Sequence, residues 1–416
     1  MNITILTTGT RGDVQPYIAL GLGLKNAGYM VKLAAPITFG ALIQKSGLDY
    51  SPVRFDAEEL MALLQPAEGN IFRMLSMVQH ELGPAYMNMF DDFWTASQDA
   101  DAILISPVAH GAYDCAEKLQ VPLLTGWLMP ALPTQEFPCF GLPFRFSLGR
   151  AYNRLSYSLF EQGIWQSVRP WLNVWRKQKL GLHTLPISSP YARMRANHIP
   201  ALVGYSAHVS PRPKDWPAWW QTTGYWFLQS SPDWQPSVPL SEFLNAGEPP
   251  IVIGFGSMTH QRPHELTAML LTALKRTGQR AVFLSGWAGL ANQDLPNTVF
   301  ALESVPHDWL FPRAAAVIHH GGAGTTGAGL AAGIPSIIVP FRIDQFAWAD
   351  RVVALGVGPH AASYQKLTVE RLTDCINQTV HDTQMREQAH NLGVKIRSEN
   401  GVAQAVQLFE KYMQSL

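Results

Sequence analysis

The stretch AVIHHGGAGTTGAGLAAGIP, Ala316 to Pro335, decides how the whole chain is read. An apolar run enters two histidines, then a glycine-rich turn, two threonines and an alanine-rich helical pattern. Gly321, Gly322 and Gly324 let backbone approach an anion closely, and the start of the following helix offers unpaired N–H groups with a favourable dipole. Thr325 and Thr326 add hydroxyl donors. His320, at the strand's exit, suits a hydrogen bond to a phosphate oxygen and balances charge on a departing diphosphate. Neither this segment nor GFGSM (Gly254 to Met258) matches G-x-x-x-x-G-K-[ST], which disfavours a P-loop ATPase, and neither is a full G-x-G-x-x-G with a downstream ribose acid. Taken alone, the glycines also fit a helix that merely packs tightly.

On both sides of this stretch strands and helices alternate. PPIVIGFGS begins a strand at Ile251 and ends in a second glycine turn, whose Ser257 is expected at the same phosphates; RAVFLSG is the next strand. Downstream, PSIIVP leads to Asp344 and Gln345 at the start of a helical pattern. A carboxylate beside an amide can hold adjacent sugar hydroxyls, because one only accepts and the other donates and accepts. An aspartate there also serves as a helix cap. The N-terminal half follows the same rhythm, with strands at Ile3 to Thr8, Tyr29 to Pro36, Ala100 to Pro107 and Val121 to Trp127. This alternation specifies an α/β architecture with parallel, doubly wound sheets. A chain of 416 residues exceeds one core, so two domains are expected, residues 1–236 and 237–416, with a linker near Gln235 to Pro250. Tandem domains of this kind place a site between them, outside the carboxyl ends of their strands.

Bulk properties narrow the function. Lysine plus arginine equals aspartate plus glutamate, 31 each, which argues against a nucleic-acid partner held through phosphate charge. The 3 cysteines are widely spaced and without a metal-ligand pattern, so a reducing cytoplasm is expected and no disulfide framework or zinc site. No run reaches the roughly 20 apolar residues of a membrane span.

Near the N-terminus, TTGTRGDVQP (Thr7 to Pro16) is a second glycine loop between a strand and a helix. Asp13 either caps that helix, with Gln15 or Pro16 in its first turn, or serves as a general base. Gly9 and Gly12 read as backbone hinges, and Arg11 as an anchor or an acceptor contact.

Three strings, GTRGDVQP, VPHDWLFPRAAAVIHHGGAGTTGAGLAAGIP and PFRIDQFAWADRVVALGVGP, occur in that order. Together they resemble the GT-B inverting glycosyltransferases of family 1, closest to the branch of sterol glucosyltransferases and bacterial glycosyltransferases of antibiotics and lipids. The resemblance implies two Rossmann-like domains facing across a cleft, with the C-terminal helix packing back on the N-terminal domain. It assigns His320, Gly322, Gly324, Thr325 and Thr326, with Ser257 and Gly12, to the donor, and Asp344 and Gln345 to its sugar hydroxyls. Ser304 to Trp309 lies along the base, with Val305 offering backbone groups to uracil and Trp287 nearby. Plant-type members carry tryptophan and asparagine where Ala323 and Gly324 stand here, which sides this chain with the sterol and antibiotic branch. In that branch the acid of the N-terminal signature is the base, so Asp13 removes the acceptor proton while His320 and the helix N-terminus receive leaving-group charge.

The implied reaction moves a hexose, glucose from UDP-glucose, to a hydroxyl of an apolar acceptor such as a sterol, terpenoid or polyketide, with inversion. UDP-sugar is a co-substrate, and neither a cofactor nor a metal is required. The alternatives are a dTDP-deoxysugar transferase of antibiotics, a non-catalytic sugar-nucleotide or lipid binder, and an epimerase. Candidate acceptor contacts are Met77, His80, Trp127, Met129, Phe137 and Phe140, each of which also suits a core position. From Arg145 to Arg195 nine basic residues accompany one acid, Glu161, with Trp165, Trp171 and Trp175 interleaved. That segment either rests on an anionic membrane surface or is a solvated face balanced by acids elsewhere. The chain is expected to be a monomer or weak dimer, cytoplasmic or peripheral at a membrane.

Overall fold

The computed structural model describes residues 1–56, 77, 82–141, 147–231, 233–256, 263–284, 295–341 and 343–415. Two compact units emerge: Met1–Ala207 with Pro211–Leu228 and Asn400–Leu416, and His208–Ser210 with Gln229–Glu399. The change of unit thus falls at Leu228 rather than 236, and the last 17 residues, counted by the domain bounds with the second domain, group with the first, as the expected packing of the C-terminal helix back on the N-terminal domain implies.

Among the described residues the first unit holds seven strands: β1 (Asn2–Leu6), β2 (Met30–Pro36), β3 (Asp49–Val53), β4 (Ala102–Ile105), β5 (Leu123–Trp127), β6 (Ala201–Val203) and β7 (Trp220–Thr222). They pair in parallel in the order β3-β2-β1-β4-β5-β6-β7. Both faces are buried, as a parallel sheet requires. Ile3 and Ile5 face one core with Val14 and Ile18 of the helix Arg11–Asn26 and Phe409 of the helix Gly401–Met413. Leu6, Ile103 and Ile105 face the other with Phe90, Phe93 and Trp165. The strand order reverses between β1 and β4, which opens a crevice beyond their carboxyl ends.

The second unit holds β8 (Ile251–Gly254), β9 (Ala281–Leu284), β10 (Val299–Leu302), β11 (Ala316–His319) and β12 (Ser336–Ile338), all parallel, in the order β10-β9-β8-β11-β12. Its reversal lies between β8 and β11, whose last residues, Gly254 and His319, are register partners. The first switch point thus lies at the glycine loop after β1, and the second at the ends of β8 and β11, which lead into the other two glycine turns singled out in the sequence.

The expected linker contains a helix, Val238–Asn245, because Ser237 accepts from Leu240 N–H and a proline occupies the first turn. The longest element of the basic and aromatic segment is a helix of 26 residues, Arg150–Trp175, and a short helix, Pro190–Ala196, closes the segment. Much of its charge is internal: Arg176 is buried against Asp114 and Glu117, and Arg195 pairs with Glu161 at 2.6 Å. Trp165 and Trp175 are core residues. No helix among the described residues is long and apolar enough to cross a membrane.

Candidate active site

In the first unit, β1 runs into Thr7 and Thr8, and Gly9 then takes φ +113°. A side chain there would lie 2.5 Å from Asp13 Oδ2, so Gly9 is required both for its backbone and for the space Asp13 occupies. The helix starts at Arg11 with Thr10 as N-cap, so Asp13 is its third residue and caps the start from there, reaching back to the N-cap N–H as in a capping box. Asp13 Oδ2 accepts from Thr10 N–H at 2.9 Å and from Thr10 Oγ1–H at 3.0 Å. Burial pushes the Asp13 carboxyl up from its ordinary value, more than the Thr10 donors pull it down. Gly12 is an exposed first-turn residue with helical backbone, so it is no hinge, and Pro16 lies a turn inside the helix. Arg11 Nε donates to Gln15 Oε1 at 3.0 Å.

In the second unit, β11 delivers His319 and His320 to the turn. His319 is fully buried, and burial, with His320 nearby, drives its pKa well down, leaving a neutral ring. Its Nδ1 accepts from Gly321 N–H at 3.1 Å, which fixes the proton on Nε2. Gly321 has φ +95°, and a Cβ there would meet Ile338 Cγ2 at 2.7 Å and the Gln345 carbonyl oxygen at 3.0 Å. At Gly322 a Cβ would lie 2.6 Å from His320 Nε2. The glycines are therefore what lets the His320 ring, the turn and the helix Ile343–Ala354 crowd together. The helix Ala323–Ala332 begins at this turn, with Gly322 as N-cap, and its first N–H groups have no intrahelical acceptor. An N-terminus in this state favours an anion.

The expected donor residues divide by exposure. Gly324 is exposed and Thr325 half-buried at the helix N-terminus, whereas Thr326 is buried and its Oγ1 donates back to Gly322 O at 2.9 Å. Asp344 is half-buried in the first turn of its helix. Gln345 is buried, its Oε1 accepting from Phe341 N–H at 2.8 Å. Ser304 is exposed after β10, while the Val305 side chain is buried with Val252, Leu310 and Phe311. Ser257 and Trp287, like His80, lie outside the described residues.

Of the expected acceptor contacts, Trp127 ends β5, is buried, and donates from Nε1 to Thr125 Oγ1 at 3.0 Å. It lines a cavity of about 30 Å³ beyond the ends of β4 and β5, shared with Ser106, His110, Tyr113 and Tyr191. That is room for a water or a hydroxyl, not for a sterol. Met77, Met129, Phe137 and Phe140 are half-buried and do not line it; the Phe137 and Phe140 rings are 5.7 Å apart. Sequence reasoning missed Ser106, whose buried Oγ has no partner among the described residues, and His110, whose pKa burial lowers to about 4. The only available signal was SPVAH, directly after an apolar strand.

Among the described residues no group of three or more His, Cys, Asp or Glu side chains is arranged to hold a metal ion.

Known proteins resemble the chain throughout its length. Residues 3–138 match the glycosyltransferase family 28 N-terminal domain, and residues 282–410 the erythromycin biosynthesis protein CIII-like C-terminal domain. Among solved structures, a calicheamicin glycosyltransferase superposes with a TM-score of 0.70 at 18% identity, covering 99% of this chain and 98% of that one. The glycosyltransferase SnogD from Streptomyces nogalater gives 0.68 at 19%, covering 99% of each. These likenesses establish the GT-B fold. A sterol 3-beta-glucosyltransferase of Aspergillus fumigatus is 37% identical over 98% of this chain, which spans 29% of that relative's length. In Arabidopsis thaliana one sterol 3-beta-glucosyltransferase is 38% identical over 100% of this chain and 66% of its own. With a second Arabidopsis thaliana enzyme of that name 37% identical over 99% of this chain and 68% of its own length, the chain belongs to the sterol 3-beta-glucosyltransferase family of GT-B glycosyltransferases.

Proposed function

We propose that the protein transfers glucose from UDP-glucose to a hydroxyl of a sterol or similar apolar acceptor, with inversion at the anomeric carbon. Family membership supports the acceptor class, and the arrangement of Asp13 carries the mechanism. Its Oδ2 is engaged by Thr10, while Oδ1 takes no hydrogen bond among the described residues. A half-buried carboxylate with one oxygen held and one open suits a base that removes the acceptor proton as the hydroxyl attacks. The negative charge then leaves with the diphosphate, which His320 and the N–H groups at the start of Ala323–Ala332 stabilise. Asp344 and Gln345 hold the hexose hydroxyls, favouring a fully hydroxylated sugar over a deoxysugar. Reaction needs no metal, because fixed protein dipoles and one imidazole serve the leaving group.

The test is a donor panel of UDP-glucose, UDP-galactose and dTDP-deoxysugars against sterol, terpenoid and polyketide alcohols, with products resolved by mass spectrometry and anomeric configuration by NMR. A β-glucoside formed from UDP-glucose is expected. Exclusive use of dTDP-sugars, or a retained anomer, would overturn the reading.

A further inference from the structure

Both hydrogen bonds that Asp13 Oδ2 accepts come from Thr10, in the same loop, so they hold the side chain to the loop without fixing the loop to the sheet. Two buried hydroxyls nearby, neither used by the proposed reaction, supply the fixed points. Thr7 follows β1 and is fully buried; its Oγ1 donates to the Asp13 carbonyl oxygen at 3.0 Å, with Thr8 O a remoter alternative at 3.5 Å. Helical geometry pairs that same carbonyl with the N–H of Tyr17.

Tyr17 lies one turn beyond Asp13 on the same face of the helix Arg11–Asn26 and is fully buried. Its hydroxyl donates to the Gly126 carbonyl oxygen, on β5, at 2.7 Å. A Cβ at Gly126 would lie 2.8 Å from Tyr17 Cε1 and 3.1 Å from the hydroxyl oxygen, so this approach needs a glycine. Trp226 packs edge-on against the Tyr17 ring at 5.7 Å and is itself held by its Nε1, which donates to Thr223 Oγ1 at 2.9 Å. Burial, and after it the nearby charge of Asp13, push the Tyr17 phenol well above its ordinary value, so the proton stays and the bond to Gly126 persists wherever Asp13 is ionised. A phenylalanine would pack in the same place, which leaves the hydroxyl to be explained by its tether.

The order β1-β4-β5 gives the two tethers their meaning. One joins the turn to the end of β1 and the other to β5, on the far side of β4, so together they span the switch point. A helix start fixed at one strand can rock about it; one fixed at two cannot. We propose that Thr7 and Tyr17 are positioning residues for Asp13, clamping its helical turn between β1 and β5 so that Oδ1 meets the acceptor hydroxyl in line for attack. The inference rests on the reading of Asp13 as the base. Such a clamp matters because a displacement of about 1 Å at a reacting group costs as much as about 10²-fold in rate.

Tyr17→Phe and Thr7→Val each delete one hydroxyl and keep the buried shape. Each should lower kcat and kcat/KM together by about tenfold. The acid limb of the pH profile should keep its position, because neither hydroxyl bonds the Asp13 carboxylate. In the Asp13→Asn background either substitution should change the residual kcat by less than about twofold, since a clamp acts only through what it holds. Urea denaturation checks that every variant is folded under assay conditions. Equal losses in the two backgrounds would make both residues supports of the fold at large, and no loss beside the native Asp13 would remove the clamp. Near-normal turnover in Asp13→Asn alone would bring down the base reading, and the clamp with it, without recourse to the Tyr17 or Thr7 variants.

Discussion

Asp13 turns one carboxylate oxygen back on Thr10, at 2.9 Å from its N–H and 3.0 Å from its hydroxyl. Capping and the proposed proton abstraction therefore fall to different oxygens of one side chain. Asp13→Asn keeps an oxygen for the Thr10 N–H but cannot take a proton. It should fold with a loss of about 1 kcal/mol or less while turnover falls by about 10²–10⁴-fold. Asp13→Ala should lose both. Urea denaturation and kcat separate the two effects; an Asn variant with near-normal kcat would show that the carboxylate is only a cap.

The acid limb of the rate profile tests the same residue. Burial raises the Asp13 pKa, so as the proposed base it would stay protonated and idle up to a higher pH than an ordinary aspartate. kcat/KM should rise with pH through that raised value and then level off. Thr10→Val removes one of the donors that favour the ionised form, so the limb should move to still higher pH. An unmoved or lowered limb would remove Asp13 from the proton transfer.

His319 accepts from Gly321 N–H and so sets the turn that carries His320. His319→Leu deletes that acceptor in a buried place and should raise the KM for UDP-glucose about tenfold, with the acceptor KM unchanged. His319→Asn, which supplies an oxygen near the same position, should recover most of the loss. UDP binding by calorimetry, in the absence of acceptor, is the direct measurement. Equal affinity in the Leu variant would reduce His319 to a packing residue.

How much of this was legible in the sequence depends on how local the signal was. The strands at β1, β2, β4, β5, β8, β9, β11 and β12 carry apolar runs bounded by glycine or proline, and the glycine loops after β1, β8 and β11 sit at switch points. By contrast, β6 and β7 have three residues each, too few for a period, and β3 contains a proline that its edge position tolerates. Thr326 looked like a phosphate donor because hydroxyl chemistry is readable, whereas its bond to Gly322 O depends on helix phase. The inward turn of Arg176 was hidden for another reason: its partners, Asp114 and Glu117, are about 60 residues away in the chain.

The proposed leaving-group stabilisation by the second unit can be tested by metal removal. With a helix N-terminus and His320 at the turn, turnover with UDP-glucose should stay within about twofold in excess EDTA and gain nothing from Mg²⁺ or Mn²⁺. A loss of tenfold or more that a divalent cation restores would reverse this.

The buried arginine gives the clearest stability prediction. Arg176 faces Asp114 and Glu117, and burial still pushes Asp114 up to about 6 against the pull of the guanidinium. Because the folded value exceeds the unfolded one of about 3.9, the folded state binds the proton more tightly. Stability therefore falls as pH rises between those values. Arg176→Met removes the cation that favours the ionised form, so Asp114 should move higher still. At pH 8 the variant should lose about 3–5 kcal/mol, the cost of stranding a buried carboxylate, and at pH 5 distinctly less, because Asp114 is then neutral. Urea titrations at the two pH values test this; an equal loss at both would mean that Arg176 acts through packing alone.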